Sequence, residues 1–500
     1  MLLDTLAAAA QIAFSAEVLL AVLLGVLLGV TVGAIPGISG DMAMAVLLPF
    51  VFNMDTAPAI GMLMGIYKGG LFGGSVSAIM FGVPGTPGAA ATILDGYPAK
   101  KAGLPNTALH TALYASVAGD LFGVAVLIFI ATPLALFALQ FGPREFFALY
   151  IVSIVVIASL DTGRVARGFA AAAIGVLLSM VGRDPFSGSA RFTFGIQELV
   201  AGIGLVPLLI GLFALSEIML QVGRTFAARA RAAAGGVPDE PEGYDRAADR
   251  LRPRTFARLW KSVLLGSATG TFIGALPGAG ATLAGFLSYG LAQRVSSKPE
   301  RFGRGSLEGV AAPEAGNSAT AGATLIPLFA FGIPGSGSAA LIGAALVMQG
   351  ISPGPTMIEN NMVVMYAIFM LLLYSSLINL GTSKLLLPYY ARISMLQPRY
   401  VLPVVLGLAI LGTYATSNSI ADVWMLVIAG VFGVLMRLVG MPIPPLALGF
   451  ILGPGLERAL RQSLMLGQNE WIYLFQSPLA LSIYAGGAAI MLLFVWATRK

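Results

Sequence analysis

The sequence predicts an all-α polytopic membrane protein built from two inverted-topology repeats with broken helices and helical hairpins. A lipid-adapted composition, an internal duplication and the distribution of basic residues carry that expectation. Of 500 residues, 57% are hydrophobic and 10% charged, against about 25% charged in ordinary soluble domains. A bilayer core asks for about 20 apolar residues per helix, and such runs recur from Ala8–Gly33 to Met491–Trp496, enough for roughly 12–15 membrane segments. The 62 glycines and 29 prolines sit inside apolar runs rather than in polar linkers, so they read as interrupted helices and not as low complexity.

The same composition excludes several chemistries. There is no cysteine and one histidine, His110, so no disulfide framework, thiol nucleophile or His/Cys metal site is available; the metal content is otherwise left open. The net charge of +6 comes from basic residues in short loops between apolar runs, which is how orientation signals are placed and argues against a nucleic-acid partner. The start, Met1-Leu-Leu-Asp, lacks the basic region of a removable signal peptide, so the first helix is expected to stay in the mature protein. No P-loop occurs, which favours secondary transport over ATP hydrolysis by this chain.

The duplication is direct. Residues 23–37, LLGVLLGVTVGAIPG, align at one offset with residues 264–278, LLGSATGTFIGALPG; FGVPGTPGAA at 81–90 aligns at a slightly larger offset with FGIPGSGSAA at 331–340. The chain divides into a first transmembrane half (1–222), an arginine-rich cytoplasmic linker (223–258) and a second half with a C-terminal helix (259–500). Lys100-Lys101, Arg164, Arg167, the segment Arg294 to Arg304, Lys384 with Arg392 and Arg399, and Arg499-Lys500 are placed inside with the linker. Asn53–Ala57, Gly350–Pro355 and Thr413–Asp422 carry no Lys or Arg and suit the outer face. The two halves then run in opposite directions across the bilayer. Arg144, Arg183, Arg191, Arg458 and Arg461 fall outside in this scheme, against the rule.

Each half carries two Pro-Gly breaks: Pro36-Gly37 and Pro84-Gly85, then Pro277-Gly278 and Pro334-Gly335. Proline removes a helix hydrogen bond and glycine permits non-helical backbone. In lipid the freed N–H and C=O groups are tolerated where protein buries them or a cavity is lined, so matched breaks point to a substrate or ion site. A single kink reads equally well as packing. Hydroxyls follow two of the breaks, at Thr86 and Ser336, where exposed N–H groups favour an anion. Ser75, Ser77, Asn317 and Ser318 precede these breaks. A lone Ser is as readily helix-packing glue, but a buried amide demands a partner, which favours Asn317. Glu314 is placed nearer the cytoplasmic entrance. Lys68, inside the apolar stretch Gly61–Phe81, is read either as a counter-charge for a carboxylate substrate or as a snorkelling or ion-paired residue with Asp41 or Asp120. Asp120 is in turn structural or ion-coupling.

The stretches GAIPGISGDMAMAVLLPF (33–50), GGSVSAIMFGVPGTPGAAATILDGYPAKKAG (73–103) and FGIPGSGSAALIGAALVMQGISPGP (331–355) resemble the large permease subunit, TctA-type, of the tripartite tricarboxylate transporters. The likeness continues through residues 274–328 and near residue 445. It implies a bacterial inner-membrane carrier with a cytoplasmic C-terminus. Such a carrier takes tricarboxylates or related carboxylates from a periplasmic solute-binding protein, works beside a small membrane subunit, and is driven by a Na⁺ or H⁺ gradient with no other cofactor. By position, the family's Gly-Pro motifs fall on the four breaks and its polar segment on Asn317-Ser318. The sequence departs from the family where Lys68 replaces a commonly uncharged residue and Ser318 replaces a second Asn. The substrate-binding set is therefore Ser75, Ser77, Gly85, Thr86, Asn317, Ser318, Gly335, Ser336 and Lys68. Two other readings are a carboxylate-binding sensor or passive channel, and an intramembrane enzyme in which Asp41, Asp120 and Glu314 would have to converge.

Overall fold

The computed structural model describes residues 2–35, 38–159, 165–231, 249–278, 280–393 and 398–498. It is helical throughout apart from a short β-hairpin, Gly182–Arg183 paired with Ala190–Arg191. Pro36, Gly37, Arg164, residues 232–248 of the arginine-rich linker and Arg499-Lys500 lie outside the described residues.

The first half begins with α1 (Leu2–Ala13), α2 (Ala16–Ala34), α3 (Gly40–Val51) and α4 (Thr56–Phe81). A break and a 3₁₀ turn at Pro87–Ala90 lead to α5 (Ile93–Lys101) and α6 (Pro105–Ala138). Then come α7 (Pro143–Ser159), α8 (Val165–Ser179), α9 (Leu205–Leu209), a π-helical stretch and α10 (Ser216–Arg231). The second half follows from α11 (Pro253–Ala257), with α12 (Trp260–Ala275), α13 (Gly280–Val295), α14 (Leu307–Ala323), α15 (Leu325–Phe331), α16 (Gly337–Met348), α17 (Pro355–Asn360) and α18 (Met362–Ile393). It closes with α19 (Pro398–Ser417), α20 (Ile420–Leu438), α21 (Ile443–Leu466) and α22 (Pro478–Thr498).

Among the described residues, five helical spans are long and apolar enough to cross a bilayer: Ala16–Ala34, Pro105–Ala138, Leu205–Gly223, Met362–Tyr390 and Ile420–Leu438. Shorter apolar helices include α3 and α16, each of 12 residues, or ~18 Å at 1.5 Å per residue, about half a hydrocarbon core. Ser39 and Ser336 cap these two half-length helices, accepting from the Met42 and Ala339 N–H groups at 3.2 and 3.1 Å.

The duplicated sequence produces duplicated packing. In the first half, Gly25, Gly29 and Gly33 of α2 press against Met62, Ile66 and Gly70 of α4, so closely that an added Cβ would sit 2.2, 2.4 and 2.5 Å from their carbonyl oxygens. In the second, the aligned Gly266, Gly270 and Gly274 of α12 press on Ala312, Gly316 and Thr320 of α14. This small-residue packing brings two backbones together without side chains between them. The halves then interlock. Gly119 and Gly123 of α6 lie on the Ala315 and Ala319 carbonyls of α14, while α18 packs on α4.

The ends of the two units meet crosswise. Gln349, after α16, donates to the Val51, Phe52 and Met54 carbonyls at the α3–α4 turn. Asp95 of α5 accepts from the Gly305 and Ser306 N–H groups that open α14 and from the Tyr289 hydroxyl of α13. The α3–α4 turn of the first half thus meets the end of α16, and the segment between α13 and α14 of the second half meets α5. Asp249, at the end of the linker, accepts from the Asn106 and Thr107 N–H groups at 2.6 and 2.8 Å, capping α6. Segments assigned to one side of the membrane by charge alone are therefore neighbours.

Candidate functional site

Three breaks lie within the described residues, and the two that close α4 and α15 have the same construction. Gly82 and Gly332 end those helices in the left-handed region, at φ 67° and 74°. The chain then folds back, and Gly85 N–H donates to the Gly74 carbonyl as Gly335 N–H donates to the aligned Thr324 carbonyl, at 3.1 and 3.2 Å. The Gly278 N–H donates to the Gly335 carbonyl at 2.8 Å, joining the breaks of the second unit. Beyond the break the units diverge. Ser336 caps α16, whereas Pro87 stands where α16 has Gly337, and only a 3₁₀ turn follows, with no capping bond from Thr86.

The first polar cluster lies where this turn meets α14. Ser75 donates to Glu314 Oε1 at 2.6 Å, and Thr92 donates to the same oxygen. Glu314 and Asn317, one turn apart on one face of α14, are both fully buried. Glu314 Oε2, both amide atoms of Asn317 and Thr86 Oγ1 make no hydrogen bond within the described structure. Gly88 lies so near that a Cβ there would stand 2.1 Å from Asn317 Oδ1; one on Gly74 would stand 2.4 Å from Thr86 Oγ1. Ser77 donates to the Gly74 carbonyl at 3.1 Å and faces Gly85.

A second cluster forms at the other break. Ser338 donates to Asp41 Oδ1 at the start of α3. Tyr67 of α4 lies beside the hydroxyls of Thr324, Ser336 and Ser338. Tyr67 occupies the position in α4 that Asn317 occupies in α14, so each unit offers its partner helix a polar side chain at the equivalent place.

Lys68 and Ser318, also equivalent by the alignment, are turned elsewhere. The Lys68 ammonium lies 3.0 Å from Asp120 of α6, donates to Ser376 Oγ of α18 at 2.9 Å and to the Leu372 carbonyl, and is buried. Ser376 in turn donates to Asp120 at 2.7 Å. Ser318 bonds Ser116 of α6 at 2.6 Å. Of the sequence-derived set, the structure gathers Ser75, Ser77, Gly85, Thr86 and Asn317 at one break and Gly335 and Ser336 at the other. Lys68 and Ser318 instead join helices. Asp41 bonds Ser338, so Asp120 is the partner of Lys68. Glu314 is buried in the first cluster, where Ser75 and Thr92 of the other half meet it.

Asp41, Asp120 and Glu314 belong to three separate hydrogen-bond groups, so no acid–base set converges, and no cluster of metal-ligating side chains occurs among the described residues. The arginines that break the charge rule are partly accounted for by pairing. Arg191 and Arg461 bind Asp184 and Glu457 in one network around the β-hairpin. The backbone N–H groups of Ser187 and Phe186, with Arg461, hold the Asp184 carboxyl well below the usual carboxylate range.

The sequence names Asp41 only as a partner for Lys68 or a candidate acid, and it does not single out Tyr67, Gly88 or Thr92. The offset that aligns the breaks pairs Tyr67 with Asn317 and was a usable signal; nothing in the sequence marks Thr92. The chain is 34% identical over 460 residues, 92% of its length and 89% of the relative's, to an uncharacterized 52.8 kDa protein in the TAR-I ttuC' 3' region of Agrobacterium vitis. It is 33% identical over 224 residues to an uncharacterized protein in the TAR-II ttuC' 3' region of that organism, covering 45% of this chain and 93% of the relative. No solved structure matches. The sequence profile of the tripartite tricarboxylate transporter TctA family matches residues 19–448, and the chain, a multi-pass helical membrane protein, belongs to that family of transporters.

Proposed function

We propose that the protein is the membrane carrier of a cation-coupled system that moves tricarboxylates or related carboxylates inward across the bacterial inner membrane. A periplasmic solute-binding protein delivers the substrate, and a small membrane subunit completes the assembly. The two units lie inverted about the site, with the linker and C-terminus in the cytoplasm, and alternating access arises as one unit moves against the other.

The observation that carries this reading is Asn317: an amide with both polar atoms unsatisfied, fully buried, at the edge of a backbone break. Leaving such a group unpaired is costly, and a carboxylate substrate supplies the acceptor its Nδ2 lacks. Thr86 Oγ1, buried and unsatisfied at the same break, adds a second donor. The matched construction of the Gly85 and Gly335 breaks supports two units serving one transport path.

The test is reconstitution with the small subunit and cognate binding protein, following labelled citrate and succinate under imposed Na⁺ or H⁺ gradients. Accumulation above the external concentration, abolished when both gradients collapse, is expected. Binding without accumulation would instead identify a sensor, and downhill equilibration alone a passive channel.

A further inference from the structure

We propose that Glu314 carries the coupling proton. This rests on the carrier reading and names the group that joins cation to substrate. Ser75 and Thr92 both direct their hydroxyls to Oε1. That leaves Oε2, buried and without a partner, as the oxygen that takes up a proton.

Among the described residues, no cation neutralises this carboxylate. Around it, Lys68 is bound to Asp120, Lys100 of α5 donates to the Met80 carbonyl, and Asp95 is held by Tyr289 and the start of α14. On α14 itself Glu308 bonds Ser296, and on α6 His110 bonds the Asn106 carbonyl. A buried, uncompensated carboxylate is strongly disfavoured in its charged form. One turn along the same face lies Asn317, the group assigned to the substrate. A protonated Glu314 leaves that place open to an anion, and an ionised one repels it. The proton enters from the outer solution onto Oε2, travels with the bound substrate, and leaves to the cytoplasm when the substrate has gone.

The experiment measures proton movement and substrate uptake together in proteoliposomes holding the complete transporter, comparing wild type with Glu314→Gln and Glu314→Asp. Wild type is expected to take up substrate under a pH gradient. Glu314→Gln should lose gradient-driven accumulation and move one proton fewer per substrate, while still exchanging labelled for unlabelled substrate at a reduced rate; Glu314→Asp should restore part of the coupling. Unaltered proton stoichiometry in Glu314→Gln, loss of exchange along with accumulation, or wild-type uptake driven by Na⁺ alone would each overturn the assignment and leave the carrier reading standing. Absence of accumulation by wild type under every gradient would remove the carrier reading itself.

Discussion

Replacing Lys68 by methionine is expected to destabilise the folded protein by about 3–5 kcal/mol, because Asp120 would remain as an uncompensated buried charge. Asp120→Leu alone should cost a similar amount by stranding the ammonium. The double change Lys68→Met with Asp120→Leu should recover most of the loss, since two apolar side chains of suitable volume need no partner there. Thermal unfolding in detergent of the four proteins checks this through a double-mutant cycle. Additive losses would show that the pair is not coupled. The aligned position shows the fold does not need an ion pair here: Ser318 and Ser116 fill it with one hydroxyl contact. The charged version therefore ties α4 and α6 of the first half to α18 of the second.

Asn317→Ala is expected to weaken carboxylate binding about 10–100-fold, the loss of a hydrogen bond to a charged group at 1.5–3 kcal/mol. Gly88→Ala should act in the same direction with Asn317 intact, because the new methyl would lie 2.1 Å from Asn317 Oδ1 and must displace the amide. Titration calorimetry of the purified permease with citrate and succinate measures both. Two variants with wild-type affinity would place the substrate elsewhere. The paired design matters because an alanine at 317 also creates a cavity, whereas the glycine change adds volume; a common phenotype then reflects the amide itself.

The legible part of this molecule was its local grammar. Pro84-Gly85 and Pro334-Gly335 end helices because proline and glycine act on their own backbone, and the structure places both at breaks with left-handed glycines just before them. The alignment of Gly25, Gly29 and Gly33 with Gly266, Gly270 and Gly274 foreshadowed two equal helix pairs, since close packing depends on the missing Cβ at each position. Pairing across long sequence separations was the part that failed. Lys68 had two candidate acids, and the choice of Asp120 depends on α6 and α18 crossing α4 at one level. Nothing in the sequence around Glu314 shows that Ser75 and Thr92 arrive from the other half to meet it. A 3₁₀ turn follows Gly85 where α16 follows Gly335, so the two breaks share a backbone construction and differ in the helix each one starts.

The central claim, that the Gly85 and Gly335 breaks line one transport path opened alternately to the two sides, is most directly tested by single-cysteine labelling. The chain contains no cysteine, so Thr86→Cys and Ser336→Cys each present a unique thiol. An impermeant thiol reagent applied from either side of oriented vesicles should reach both positions, with the favoured side changing under an imposed gradient and the reaction slowed by saturating substrate. Reaction from one fixed side, indifferent to gradient and substrate, would contradict the account.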